Sequence, residues 1–331
     1  MTGSGLARAG LFATAAIAFP FVFSPAWLVN IGVLTLMYAA LATSWNLFSG
    51  YTGYITLGQV AFFGLGAYTL AIVFQHVGIG SGYNPFYALP LVGLGVAFAS
   101  LPIAWIALRT RAMTFAIVTL TLLFIVQQLA FNLHSVTHGS SGLMLPTPTT
   151  FGVDTYDRPF YFAMLGLLAV ALLLCFAILR SKLGLMLLAV REDEEKARGL
   201  GMRVTGAKLI AWWLHVFVTA MVGAVWAYYL TFIYPESSVD PLVMIGAVLM
   251  TFLGGRGTLW GPTIGALVLV PAQQYMLIHL GGSQLYLVGY SAVFVVVLLV
   301  LPRGILPSLR EGVLRTRERR RTRRTIGEAP A

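Results

Sequence analysis

Long apolar runs separated by short polar breaks fill the chain from Gly10 to Leu301. A helix that crosses a bilayer needs roughly 20 mostly apolar residues, and on that measure the pattern predicts about ten spans, with eight as the lower bound. Nine are the runs Gly10–Leu28, Ile31–Phe48, Phe86–Leu108, Met113–Leu133, Phe160–Leu179, Leu209–Leu230, Leu242–Leu253, Pro262–Leu280 and Leu285–Leu301. The remaining one lies in the glycine-interrupted stretch Ser49–Val73. The first run follows Arg8 and contains Pro20 and Pro25; it reads as an uncleaved span, although Ser24 and Ala26 also form a small-x-small pattern of the signal-peptide kind. The short run Leu242–Leu253 is followed by Gly254, Gly255, Gly257 and Gly261, so Leu242–Gly265 reads as a broken or re-entrant element. The expected fold is an all-α polytopic membrane protein, with a transmembrane domain at 1–309 and a basic cytoplasmic tail, expected to be disordered, at 310–331.

Within Ser49–Val73, Gly50, Gly53, Gly58, Gly64 and Gly66 interrupt an apolar background. Such density allows either close helix packing or an unwound backbone, and unwound backbone at membrane depth is tolerated only where it is buried in protein or lines a water-filled cavity. Asn46, Gly50, Gly53, Thr56, Gln59 and Gly64 are therefore the candidate translocation pathway. The stretch Gly58–Val73 is faintly echoed in Gly257–Ala272, which suggests an internal repeat.

Composition changes the picture in one respect. Apolar residues are 58% and charged residues 10% of 331, so little is left for an extramembrane domain. The charge that remains is concentrated. Arg180–Lys208 holds four consecutive acids, Glu192 to Glu195, among Arg180, Lys182, Arg191, Lys196, Arg198, Arg203 and Lys208. This stretch is expected to face water as a short helix with Glu192–Lys196 and Glu194–Arg198 pairs, stopped by Gly199 and Gly201. Mixed charge on a short exposed helix suits a groove on another protein better than a lipid surface. The net charge of +10 comes from this loop and from eight arginines in Arg310–Arg324. It points to membrane topology and headgroup contact, not to nucleic acid. If the spans alternate, nearly all basic residues fall on one side, which the positive-inside rule makes cytoplasmic, with both termini inside.

Catalytic and metal chemistry find little support. His134 and His138 have i,i+4 spacing without a third ligand, and Cys175, the only cysteine, reads as a small buried hydrophobe. No GxxxxGK[ST] motif accompanies Lys182, Lys196 or Lys208, so the chain has no ATPase site of that kind. Every Asp and Glu maps to a loop, a span end or the tail, which argues against an ion-coupled secondary carrier or channel, the main alternative. Energy for uphill transport would have to enter through another subunit, and the central charged loop is the docking element.

Ser44–Tyr68, Val190–Met202 and Phe252–Ala266, with Leu301–Ile305 as a late echo, together resemble the permease subunits of branched-chain amino-acid ABC importers, in particular their LivM-like half. The resemblance implies that Arg191, Glu192, Glu194, Glu195, Ala197 and Gly201 belong to an ATPase-coupling loop. Glu195, Ala197 and Gly201 fit the spacing of its core. It also implies a second homologous permease, two cytoplasmic ATP-binding-cassette ATPases, a periplasmic substrate-binding protein and a bacterial inner membrane, with ATP bound by the partners and no cofactor in this chain. Thr56 and Gln59 stand where Ser and His are common in the family, so urea, short amides or aromatic acids join branched-chain amino acids as expected solutes.

Overall fold

The computed structural model of the chain describes residues 3–23, 25–78, 80–148, 150–152, 155–280, 292 and 304–308. The predicted span Leu285–Leu301 and the tail 310–331 lie outside these residues, apart from residue 292. In chain order the helices are α1 (Gly3–Val22), α2 (Ala26–Trp45), α3 (Gln59–Val77), α4 (Asn84–Ala107), α5 (Ala112–Asn132), α6 (His134–Thr137), α7 (Asp157–Arg180), α8 (Lys182–Glu192), α9 (Glu194–Gly199), α10 (Val204–Leu230), α11 (Pro235–Ser238), α12 (Pro241–Gly254) and α13 (Gly261–Leu280). A two-residue antiparallel pair, β1 (Leu143–Met144) with β2 (Phe232–Ile233), is the only sheet among the described residues. Among the described residues, seven segments are long and apolar enough to cross a membrane: Ala26–Gly50, Gln59–Val77, Asn84–Ala107, Ala112–Asn132, Asp157–Arg180, Val204–Leu230 and Pro235–Gly254. The 20-residue helices α1 and α13 pack beside them.

Proline sets the first boundary. Pro25 is extended (φ −63°, ψ 125°) and precedes α2, so α1 ends at Val22 and α2 starts at Ala26, earlier than the expected Ile31. The chain then breaks where glycine is dense. Helix α2 runs on as a π-helical turn, Asn46–Gly50, Gly53 reverses the backbone with φ +81°, and α3 starts only at Gln59.

Glycines inside the helices do something different. A Cβ on Gly66 of α3 would sit 2.0 Å from the Ala220 carbonyl oxygen, and one on Gly223 of α10 would sit 1.9 Å from that of Phe63. The two backbones touch because neither carries a side chain there, the arrangement by which membrane helices gain dispersion contact without a hydrophobic driving force. Helices α12 and α13 meet in the same way, with a Cβ on Gly254 falling 1.7 Å from the Gly261 oxygen. Leu242–Gly265 is therefore a short helix, a tight turn through Gly255 (φ +120°) and Gly257 (φ +80°), and a returning helix.

Helix α10 is the centre of the bundle, packed against α2, α3, α4 and α7. One end of the molecule gathers the Arg109–Arg111 turn, α8, α9 and the Arg256 turn; the other carries α6, the β1–β2 pair and α11. These are called the charged end and the opposite end below.

Candidate functional site

The unwound chain between Thr52 and Gln59 has lost its helical hydrogen bonds and replaces them with side chains. The Thr56 N–H donates to Ser49 Oγ at 3.1 Å, Leu57 N–H to Thr119 Oγ1 at 3.0 Å, and Trp45 Nε1–H to the Thr56 carbonyl at 2.8 Å. Buried backbone groups must be paired, and these hydroxyls and the indole serve that need. Gly58 is forced: a Cβ there would lie 2.4 Å from the Thr119 oxygen.

Next to this segment a polar seam runs between α2, α3 and α10. Gln59 Nε2 donates to the Leu41 carbonyl at 2.8 Å and lies 3.4 Å from Thr219 Oγ1. Ser44 Oγ is 3.0 Å from both Thr219 Oγ1 and His215 Nδ1. Asn46, Thr56, Gln59, Ser44, His215 and Thr219 are all fully or almost fully buried. Gln59 Oε1 and His215 Nε2 have no protein partner. Sequence patterning does not single out Ser44, His215 or Thr219, whose only signal is that each is polar within an apolar run.

At the charged end the glycine-rich breaks are tied together. Asn46 Oδ1 accepts from the Gly257 N–H at 2.7 Å and Asn46 Nδ2 donates to the Thr258 carbonyl at 2.9 Å. Arg256 donates to the Ser49 carbonyl at 3.0 Å and Arg191 to that of Gly50 at 2.9 Å, placing two guanidinium groups on the negative end of α2. A Cβ on Gly257 would lie 2.5 Å from Arg191 Nη1, and one on Gly304 would lie 2.6 Å from Gly255 Cα. The stretches around 50, 191, 257 and 304, distant in sequence, thus share one junction. Arg191, expected on the docking surface, is an exposed residue whose guanidinium also holds the Gly50 carbonyl.

The charged loop departs from expectation in two ways. Asp193 is extended (φ −161°, ψ 106°) and ends α8, and its carboxylate caps α9 by accepting from the Lys196 N–H at 3.0 Å. Glu192 and Lys196 therefore lie on different helices, and Lys196 pairs with Asp193 at 3.0 Å instead. The backbone N–H and then the side chain of Lys196 hold the Asp193 carboxyl below the usual aspartate value. Second, Lys208 does not face water; its side chain has no exposed surface, because its ammonium turns inward to Glu194 at 2.9 Å and to the Leu108 carbonyl at 3.3 Å. Glu194 also accepts from Arg198 at 2.6 Å, the expected pair, and from the Tyr54 hydroxyl. Partial burial pushes the Glu194 carboxyl up, but these three donors outweigh it and hold it below the ordinary glutamate value. Burial, and then Glu194, raise the Tyr54 phenol. Ala197 is buried against Val190 and Val204, Glu192 and Glu195 are exposed, and Gly201 (φ +77°) has open space around it. A cavity of about 620 Å³ opens among Thr52–Tyr54, Arg109–Ala112 and Val190–Glu195.

The family model described as the permease component of branched-chain amino acid transport systems matches residues 27–301. The high-affinity branched-chain amino acid transport system permease proteins LivM of Salmonella typhimurium and Escherichia coli are each 31% identical to the chain, over 89% of it and 73% of their own length. No solved structure matches significantly.

Proposed function

Because the chain belongs to the permease family of branched-chain amino acid transport systems, we propose that it imports branched-chain amino acids as half of an ATP-driven membrane channel. It is a multi-pass transport subunit and not the ATPase. One observation carries the reading: Asn46, Arg191 and Arg256 bind the charged loop, both glycine-rich breaks and the end of α2 into one junction beside the buried seam. Motion of a docked partner at α9 has a direct mechanical route to the unwound segment. In this reading two ATP-binding-cassette ATPases dock at the charged end, a second homologous permease completes the pathway, and a periplasmic solute-binding protein delivers at the opposite end.

The bacterial inner membrane places the charged end and the termini in the cytoplasm. The seam offers amide, hydroxyl and imidazole groups and no carboxylate, which suits a solute without net charge and leaves selection mainly to the binding protein. Branched-chain amino acids lead; urea, short amides and aromatic acids are the competing solutes. Reconstitution in liposomes tests the proposal. Leucine uptake should require internal ATP, the ATPases, the second permease and the loaded binding protein together. Uptake by this polypeptide alone, driven by a proton or sodium gradient, would restore the secondary-carrier reading.

A further inference from the structure

Glu194 lies on the helix that the sequence assigns to docking, yet its carboxylate is directed into the bundle. We propose that Glu194 is a positioning residue for transport, a latch that fastens α9 to the unwound segment through Tyr54 and to α10 through Lys208. The inference rests on the docking reading above and gives Glu194 a role separate from that of its exposed neighbours Glu192 and Glu195.

Three donors converge on this carboxylate: the Tyr54 hydroxyl, Lys208 Nζ at 2.9 Å and Arg198 Nη2 at 2.6 Å. Its side chain is 20% exposed while that of Lys208 is fully buried, so most of its hydrogen-bonding capacity is spent inside the protein. A docking residue needs free lone pairs on the outer face. Lys208 belongs to α10, donates to the Leu108 carbonyl at 3.3 Å and lies 4.2 Å from the centre of the Tyr54 ring. Breaking the pair would leave a buried ammonium with only a carbonyl and a ring face, a strongly disfavoured state. Glu194, Lys208 and Tyr54 should therefore move together. Tyr54 lies between Gly53 (φ +81°) and Gly58, in the stretch that has no helical hydrogen bonds, so a pull on it is absorbed there and passed on toward Gln59.

The complete transporter in liposomes, with leucine as the solute, tests the latch. In Glu194→Gln the ATPase subunits should still co-purify and hydrolyse ATP, while leucine carried per ATP falls about tenfold, within the usual range of coupling between sites. Hydrogen exchange of the amides at 51–58 in the same variant, measured on this chain alone in nanodiscs, should accelerate. Exchanging the partners, with Glu194→Lys and Lys208→Glu together, should recover part of the coupling. Tyr54→Phe, which removes one hydroxyl and is the milder change should Glu194→Gln not fold, should lower coupling about threefold, as loss of one hydrogen bond would. Loss of the ATPases from Glu194→Gln with unchanged exchange at 51–58 would make Glu194 a docking residue and end the proposal, as would unchanged coupling and exchange. The nanodisc measurement needs no ATPase, so accelerated exchange beside a wild-type complex that shows no ATP-driven uptake would count against the importer reading and not against the latch.

Discussion

A lysine with no exposed surface at the mouth of a membrane bundle is stable only if its charge is answered, and Lys208 is answered by Glu194. Replacing it by Met keeps the volume and removes the ammonium. Because Glu194 is partly exposed and keeps Tyr54 and Arg198, the loss should be that of one charged hydrogen bond, about 2 kcal/mol, seen as a lower thermal midpoint in detergent. The pH dependence has a definite sign. The folded-state Glu194 carboxyl is held below its ordinary value, so its contribution is fully present above about pH 4.3 and is lost as pH falls through the lower folded value. The difference in midpoint between wild type and Lys208→Met should hold steady from neutral pH to about pH 5 and shrink below about pH 4. A difference that disappeared already near neutral pH would contradict the assignment.

Helix by helix, much of this architecture was legible. Uninterrupted apolar runs gave α4, α5 and α7 with ends displaced by only a few residues, since lipid permits few alternatives to a continuous helix. The glycine-rich stretch was also recognisable as special, but its two possible meanings both proved real: Gly50, Gly53 and Gly58 serve the break, and Gly66 serves packing. What could not be read was pairing across distance. Nothing in the sequence joins Ser44 to His215 or Asn46 to Gly257, and i,i+4 spacing predicts a partner only where the helix is unbroken, which Asp193 prevents for Glu192. The packing interpretation can be tested with two alanines. Gly66→Ala drives a methyl against the Ala220 backbone and should cost about 1 to 3 kcal/mol. Gly166→Ala on α7 meets nothing within 4 Å and should raise stability by about 0.5 to 1 kcal/mol. Thermal unfolding in micelles should separate the pair in opposite directions; a tolerated Gly66→Ala would show that α3 and α10 do not touch as described.

For the molecule as a whole, sidedness decides whether the junction can be driven by ATP. Arg109, Arg111, Arg180, Lys182, Lys196, Arg198, Arg203 and Arg256 belong to loops and helix ends at the charged end, whereas the opposite end has Arg158 with Asp157, Glu236 and Asp240. Basic residues are retained on the cytoplasmic side during insertion, and the proposed orientation accordingly has α8 and α9 inside the cell. The native Cys175 is fully buried and contributes little background, which makes single cysteines usable as reporters. Lys196 has a side chain 84% exposed, and Glu236 is exposed at the opposite end. Lys196→Cys should react with a membrane-impermeant maleimide in inside-out vesicles and stay silent in right-side-out ones, and Glu236→Cys should do the reverse. The opposite labelling pattern would put α9 outside the cell, beyond the reach of any ATP-hydrolysing partner, and would leave Glu194 and Arg191 as purely structural fastenings.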